Sequence, residues 1–229
     1  MDPIDLKAVG TIPFFNSLND ASIKRLLTRS VLAHFQPGQI ILGHEDNTTD
    51  VLFLIEGQAR VNIYSASGRR VSFRDIRKGS IFGELAAIDG QPRSATVEAV
   101  INCSAMKMTQ EEFSSALKQE PEFMMAIMRH LSQQVRALTS RVFEFSTLAV
   151  RNRVHAELLR MATPNGDISP TPTHEDFASR ISTHREAVTR ELSRLEELGL
   201  LVRQGRALRV KDMGVLRRLV DTGSHDEWS

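Results

Sequence analysis

The chain has 229 residues, 41% apolar and 25% charged, with 29 Lys and Arg against 28 Asp and Glu for a net charge of +1. That balance is ordinary for a soluble globular protein, and at ~150 residues per domain it allows one large domain or two modest ones. Apolar runs such as residues 51–55 fall far short of the ~18 residues of a membrane helix, the opening MDPIDLKAVG carries no secretory pattern, and the single cysteine, Cys103, excludes intramolecular disulfides, a Cys-rich zinc site and a Cys-ligated iron–sulfur cluster. The expected setting is cytoplasmic, with no membrane partner.

Residues 10–30 read as short helical turns, from Pro13-Phe14-Phe15 through Ile23, Leu26 and Leu27. Residues 31–108 read as strands. The runs 39–42, 51–55, 59–64, 71–76 and 95–100 are rich in Val, Ile and Phe, and Gly38, Gly57, Gly68, Gly79 and Gly90 punctuate them. Many short strands with glycine turns argue for a sandwich or barrel. The lack of helices alternating with them argues against a parallel β/α sheet.

Within this region, residues 82–97 (FGELAAIDGQPRSATV) carry chemistry. Residues 83–88 can form one or two helical turns, whose free N–H groups offer an anion-binding end. Asp89-Gly90 makes a turn, and Pro92 stiffens the approach to Arg93-Ser94. A guanidinium and a hydroxyl then face the same anion as the helix start. Glu84 repels an anion but accepts hydrogen bonds from a neutral hydroxyl beside one. A phosphate joined to a ribose meets both demands. The alternative has Glu84 favouring the helix dipole and Arg93 at the surface.

From Thr109 the period changes. Thr109 and Glu112 have capping-box spacing, and Pro121 sits where a first-turn proline belongs. A helix over 121–149 then places Met124, Met128, Leu131, Val135, Leu138, Val142, Phe145 and Ala149 at spacings of 4 and 3 in turn. This is a heptad seam. Such a narrow stripe fits helix-on-helix pairing in a parallel dimer; a helix lying on its own domain's core is the alternative. Residues 150–161 are helical in pattern, and residues 163–172 are a turn-rich loop with three prolines. The last nine residues have little to bury and are expected to fray.

Thr173 can cap a helix through Asp176, Phe177, Ala178 and Ile181. Ser182-Thr183 breaks it, and Thr183 with Glu186 repeats the capping-box spacing to open a second helix. There Val188, Leu192 and Leu195 share one face, while Arg185, Glu186, Thr189 and Arg190 share another near the start. Such a helix can enter a major groove, where Arg offers a fork to guanine and Glu accepts from cytosine N4. Residues 201–210 read as a hairpin with Gly205 at its tip and Arg206 among the basic residues beside it, a wing against phosphates. Residues 176–211 hold eight Lys/Arg and five Asp/Glu, a modest surplus that a dimer doubles. A solvated amphipathic helix with ordinary surface charges is the alternative.

The order of these parts resembles the Crp/Fnr family of bacterial transcription regulators, specifically its cyclic-AMP receptor protein branch, across nearly the whole chain. Gly83-Glu84-Leu85 with Arg93-Ser94-Ala95, and Arg185-Glu186 with Arg190, carry it most specifically. The resemblance implies an α+β chain. It comprises an N-terminal cyclic-nucleotide-binding β-roll (jelly roll) with a long dimerisation helix, residues 1–149, and a C-terminal winged helix-turn-helix, residues 150–229. It implies that Glu84 holds the ribose hydroxyl, with Gly83, Leu85 and Ala86 beside it. Arg93 and Ser94 hold the cyclic phosphate. Thr139-Ser140 matches the Thr-Ser pair that meets the purine, although anchoring from the segment after the helix shifts that match by one residue. Thr183, His184, Arg185, Glu186, Thr189, Arg190 and Arg206 face DNA with a TGTGA-type half-site, and Met128, Leu131, Val135, Leu138, Val142 and Phe145 form the dimer seam. The implied effector is cAMP, with no cofactor. The partners are a palindromic promoter site and a second copy, and RNA polymerase is a further partner the resemblance allows.

The nearest rival is a cGMP-responsive regulator of the same fold, since the cassette is one residue shorter than in the best-known members and leaves base selectivity open. A ligand-independent regulator of this family is another. A nucleotide-processing enzyme needs a metal or a positioned acid/base set. The seven histidines are scattered and no pair has i, i+4 spacing, so neither a metal nor a catalytic residue is expected.

Overall fold

The computed structural model describes residues 12–16, 18–66, 68, 70–205 and 207–221. A turn of 3-10 helix (Pro13–Phe15) and α1 (Asp20–Thr28) lead into β1 (Val31–Phe35), β2 (Ile40–Leu42), β3 (Val51–Glu56), β4 (Gln58–Tyr64), β5 (Arg70–Arg77) and β6 (Ile81–Phe82). Then come α2 (Glu84–Asp89), β7 (Thr96–Ala99), β8 (Cys103–Met108), α3 (Gln110–Gln119) and the long α4 (Pro121–Thr147). The remainder is α5 (Val150–Met161), β9 (Asp167–Ile168), α6 (His174–Arg180), α7 (Arg185–Glu197), β10 (Leu201–Gln204), β11 (Ala207–Val210) and α8 (Met213–Asp221). The chain divides into two compact units, residues 1–134 and 135–229.

In the first unit, two four-stranded antiparallel sheets, ordered β1-β8-β3-β6 and β2-β7-β4-β5, make the jelly roll. Strand β3 explains how two cores fit around them. Its successive side chains point to opposite faces, and both faces are covered. Val51, Phe53 and Ile55 join a helix-side core, while Leu52 and Leu54 join the core between the sheets. That double burial is why residues 51–55 form an unbroken apolar run rather than an alternation. The helix-side core is aromatic. Phe53 packs with Phe14, Phe15 and Phe123, and Phe113 meets Phe123 edge-on.

Helix α4 carries two stripes. Phe123 and Ile127 are buried in the aromatic core, and His130 and Gln134 continue that face at the same 4, 3, 4 spacing. On the seam stripe, Met128, Val135, Leu138 and Val142 are each half or more exposed, and Leu131 is partly buried against the core. The helix stops at Thr147, not at 149. Ser146 and Thr147 turn their hydroxyls back to the carbonyls of Val142 and Phe143, bonds that weaken a helix. Ala149, expected as the last seam position, is extended and stands at the N-cap of α5.

In the second unit, α5, α6, α7 and α8 pack around Val154, Leu158, Phe177, Val188, Leu192 and Leu195, with a three-stranded antiparallel sheet, β10-β11-β9, beside them. Strand β9 lies inside the segment read as loop. It is two residues long and pairs through Ile168 and Asp167 with Leu208 and Arg209.

Phe53→Ala is expected to destabilise the first unit by about 3–5 kcal/mol, the usual cost of emptying an aromatic site. Urea denaturation followed by circular dichroism measures it, and a loss under about 1 kcal/mol would remove Phe53 from the centre of that core.

Candidate functional site

The cassette between β6 and β7 is shaped by one glycine and one arginine. Gly83 has φ +81, a left-handed conformation that favours glycine, and it caps α2, which starts at Glu84 and not at Gly83. A Cβ there would lie 2.8 Å from Arg93 Nη1 and 2.9 Å from the Asp50 carbonyl oxygen. Arg93 is 3% exposed, so the alternative that left it at the surface is overturned. Its Nε donates to Thr48 Oγ1 (2.9 Å), Nη1 to the Gly83 carbonyl (2.7 Å) and Nη2 to the Asp50 carbonyl (2.7 Å). Burial lowers its pKa, and Asp50, Asp46 and Glu84 oppose that shift. A guanidinium has five N–H groups, so three bonds hold the side chain and two donors stay available to an anion.

Glu84 is 2% exposed. Gln134 Nε2 donates to its Oε1 at 2.9 Å, and His130 Nε2 lies 3.9 Å from that oxygen. Burial lowers the His130 pKa, Glu84 opposes and Arg74 adds to the lowering. His130 Nε2 is also 2.7 Å from Gln134 Nε2, so the amide of Gln134 serves both groups. Gly83, Glu84, Leu85, Ala86, Arg93 and Ser94 line one cavity of about 90 Å³. Leu42, Phe82 and the β4 and β7 residues Val61 and Val97 add apolar wall, and Arg74 and Gln134 reach in from β5 and α4. Arg74 and Gln134 were not among the residues expected here. The cavity's volume is well under the roughly 300–1,000 Å³ of small-molecule pockets. Thr139 and Ser140 belong to the other compact unit. Both are exposed, and the Thr139 hydroxyl donates to the Val135 carbonyl at 3.0 Å.

The helix-turn-helix is built on two caps of different quality. Thr173 and Asp176 form a reciprocal capping box at α6. The start of α7 differs from expectation: its N-cap is His184, which makes no side-chain cap bond. Thr183 instead sits in the turn, its N–H donating to the Ala178 carbonyl, after Ser182 at φ +51. Arg185, Glu186, Thr189 and Arg190 are exposed on the first turns of α7, and Val188, Leu192 and Leu195 are buried beneath. Thr189 Oγ1 is 2.7 Å from His174 Nδ1 and donates to the Arg185 carbonyl. Arg203 Nη2 is 3.3 Å from His174 Nε2. Burial lowers the His174 pKa, and Arg203 and Arg185 reinforce it against Glu196, which suits a neutral ring accepting from Arg203 and donating to Thr189. On the hairpin, Arg203 pairs with Glu196 (2.6 Å) and Arg209 with Asp167 (3.4 Å). Arg206 lies outside the described residues.

Among the described residues no helix is long and apolar enough to cross a membrane, and no group of three or more His, Cys, Asp or Glu could hold a metal ion.

Residues 32–120 match the cyclic nucleotide-binding domain family, and residues 152–219 match the Crp-like helix-turn-helix domain family. The chain belongs to the Crp/Fnr family. It is 25% identical over 197 residues to the cAMP-activated global transcriptional regulator Vfr of Pseudomonas aeruginosa, covering 81% of this chain and 92% of Vfr. It is 37% identical over 92 residues to a cGMP-dependent protein kinase of Toxoplasma gondii, covering 40% of this chain and 9% of the kinase. FixK2 from Bradyrhizobium japonicum has the same fold, with a TM-score of 0.75 at 19% identity over 83% of this chain and 96% of that one. This Crp/Fnr protein is a cyclic-nucleotide-binding, DNA-binding transcription regulator and not an enzyme.

Gly83→Ala is expected to cost this Crp/Fnr chain about 1–3 kcal/mol through the strained backbone and to displace Arg93. Thermal unfolding measures the first effect. Unchanged stability would mean that Gly83 is not held at its positive φ.

Proposed function

We propose that this chain is a homodimeric regulator whose affinity for a two-fold DNA site is set by a 3′,5′-cyclic purine nucleotide bound at the cassette. The observation that carries the reading is the meeting of Glu84 and Arg93 at one cavity. A carboxylate that accepts and a guanidinium with two spare donors answer a ribose hydroxyl and a cyclic phosphate. Gly83, Leu85, Ala86 and Ser94 complete that set. Phosphate and ribose are common to cAMP and cGMP. Vfr's name puts cAMP first. The name of the Toxoplasma kinase and the presence of Arg74 favour cGMP as the second reading. Thr139 and Ser140 are the proposed contacts to the base from the dimer helix, and the working division between ligand and DNA halves falls at 149/150.

The exposed apolar stripe of α4 supports a dimer. Met128, Leu131, Val135, Leu138, Val142 and Phe145 repeat at heptad spacing, and a parallel partner would bury them. A two-fold pair then presents two α7 helices to half-sites about one helical turn apart. Thr183, His184, Arg185, Glu186, Thr189 and Arg190 are the proposed DNA face, with Arg206 on the wing and a TGTGA-like sequence as the half-site. RNA polymerase is a further proposed partner, and the cytoplasm the proposed setting.

Arg93→Leu is expected to weaken cyclic-nucleotide binding roughly 10–150-fold, the worth of a charge-assisted bond, as read by calorimetric titration; unchanged affinity would remove the phosphate assignment. Leu138→Glu places like charges face to face, and analytical ultracentrifugation should find monomer where the parent chain is a dimer. A parent chain that sediments as monomer at micromolar concentration contradicts the seam. In selection from random DNA, the parent chain with nucleotide should return a palindrome, and Arg190→Ala should lose preference at one base pair per half-site, worth about 1–3 kcal/mol. Identical sequence preferences for the two proteins would exclude α7 as the reader.

A further inference from the structure

The recognition helix and the wing are joined by a side chain that the DNA face proposed above leaves out. His174, at the start of α6, has Nδ1 2.7 Å from Thr189 Oγ1 on α7 and Nε2 3.3 Å from Arg203 Nη2 on β10. The Thr189 hydroxyl donates its one proton to the Arg185 carbonyl at 3.0 Å, so its oxygen accepts from the ring. Nδ1 therefore carries the ring proton. Nε2 offers its lone pair to Arg203, which can only donate. These bonds fix the charge as well as the tautomer, because the bridge to Arg203 is made only by a neutral imidazole. The charged groups that face His174 are Arg203 on β10 and Arg185 and Glu196 on α7, and the exposed Glu175 follows it on its own helix. Burial, Arg203 and Arg185 lower its pKa from the ordinary histidine value, and Glu196 opposes them. Glu196 is itself paired with Arg203 Nε at 2.6 Å. His174 and the half-exposed Arg203 line one open groove of about 360 Å³, between residues 170–174 and the hairpin positions Gly205, Ala207 and Leu208.

We infer that His174 is a proton-gated phosphate contact: a DNA phosphate entering this groove binds the imidazolium, so the chain takes up a proton as it binds DNA. The inference rests on the reading of α7 and the wing as the DNA face. A phosphate sets negative charge against a ring that now faces Arg203 and Arg185, and it favours the charged form. The new Nε2–H meets Arg203 Nη2 donor to donor, so that bond is lost, while Nδ1–H keeps its bond to Thr189. The neutral ring ties the wing to the reader. The charged ring releases one arm of Arg203 to the groove and adds a charge-assisted bond of its own. The sign of the pH effect follows. DNA raises the pKa of the ring above its value in the free chain. The added affinity is present in full below the free value and is lost as pH rises through the bound one.

Fluorescence anisotropy of the full chain on the duplex returned by selection, with saturating cGMP or cAMP, tests this between about pH 5.5 and about pH 8, which bracket the ordinary histidine range. The parent chain should bind roughly 3- to 10-fold more tightly at the acid end, the effect of a neighbouring charge that moves an imidazole by about half a pH unit to one. Its plot of log affinity against log salt should also be steeper there, by about 0.9 for each phosphate gained. His174→Gln keeps an amide N–H for Thr189 and a carbonyl for Arg203 but takes up no proton, so its affinity and its salt slope should be the same at both ends. Should that variant fail to fold, NMR titration of the His174 imidazole in the parent chain decides the matter, with a midpoint that rises when duplex is added. Four results overturn the inference: affinity that does not change with pH, the same pH dependence in His174→Gln, acid tightening without a steeper salt slope, or a midpoint that duplex leaves unmoved. A parent chain that binds no duplex at either pH would overturn α7 as the reader, and this inference with it.

Discussion

A carboxylate with 2% of its surface accessible has to find its partners inside the protein, and Glu84 is placed where three elements supply them. Gln134 on α4 donates to it, His130 one turn earlier lies beside it, and Arg74 on β5 supplies positive potential. The strength of such an arrangement is that removing any partner leaves a buried charge under-compensated, which costs far more than the net worth of the contact. Glu84 therefore fixes the start of α4 against the jelly roll. Arg93 closes the other side by binding the carbonyls of Gly83 and Asp50. The cavity lies between a carboxylate held through one oxygen and a guanidinium with three of its five donors bonded. Gln134, which donates to one oxygen of Glu84, belongs to the helix that also carries the exposed apolar stripe.

The second unit repeats the same physics. Glu157 is buried on α5 and pairs with Arg141 (2.6 Å), Arg180 (3.4 Å) and Arg160. Glu191, buried on α7, accepts from His155 at 2.6 Å and pairs with Arg151 and Arg194. Arg141 and Arg153 also donate to the carbonyls of Arg180 and Ile181 at the end of α6, the positions where a helix leaves its last carbonyls without partners. Arginines from the final turns of α4 and from α5 thus hold the turn that aims α7. Their guanidiniums also stack over the Phe145 ring at 5.3 and 5.5 Å, joining a seam residue to the turn. These contacts tie the end of α4 to the turn that precedes α7.

Much of this was legible in the sequence, and the failures have specific causes. The exposed apolar stripe of α4 is legible because Met124 to Phe145 keep heptad spacing over seven positions. The cassette declares itself through Gly83, Glu84 and Arg93, residue types that are costly where they sit. Gln134 was passed over because its stripe, Phe123, Ile127, His130 and Gln134, runs beside a longer apolar seam on the same helix, and a window dominated by one stripe hides the other. Arg74 was passed over because β5 looks as though Val71 and Phe73 face inward. The structure puts a bulge there, Val61 pairing with Arg74 but Asn62 with Ser72, so the two-residue alternation does not run unbroken along the strand. Strand β9 was read as loop because two residues between a glycine turn and prolines carry no periodic signal. The capping-box spacing at Thr183 misled for a similar reason. Spacing alone cannot tell a cap from a turn residue whose N–H is already bonded to Ala178.

The central claim is that nucleotide at the cassette and DNA at α7 share one equilibrium. Linkage requires such coupling to be reciprocal. The most direct measurement titrates a palindromic duplex by fluorescence anisotropy with and without saturating cGMP or cAMP, and titrates the same nucleotide with and without saturating duplex, at one salt concentration. The account predicts that each ligand tightens the other by the same factor, roughly 5- to 150-fold as coupling free energies of this kind run. Equal DNA affinity with and without nucleotide, in a protein that binds both, would contradict it and leave a ligand-independent regulator of the same fold.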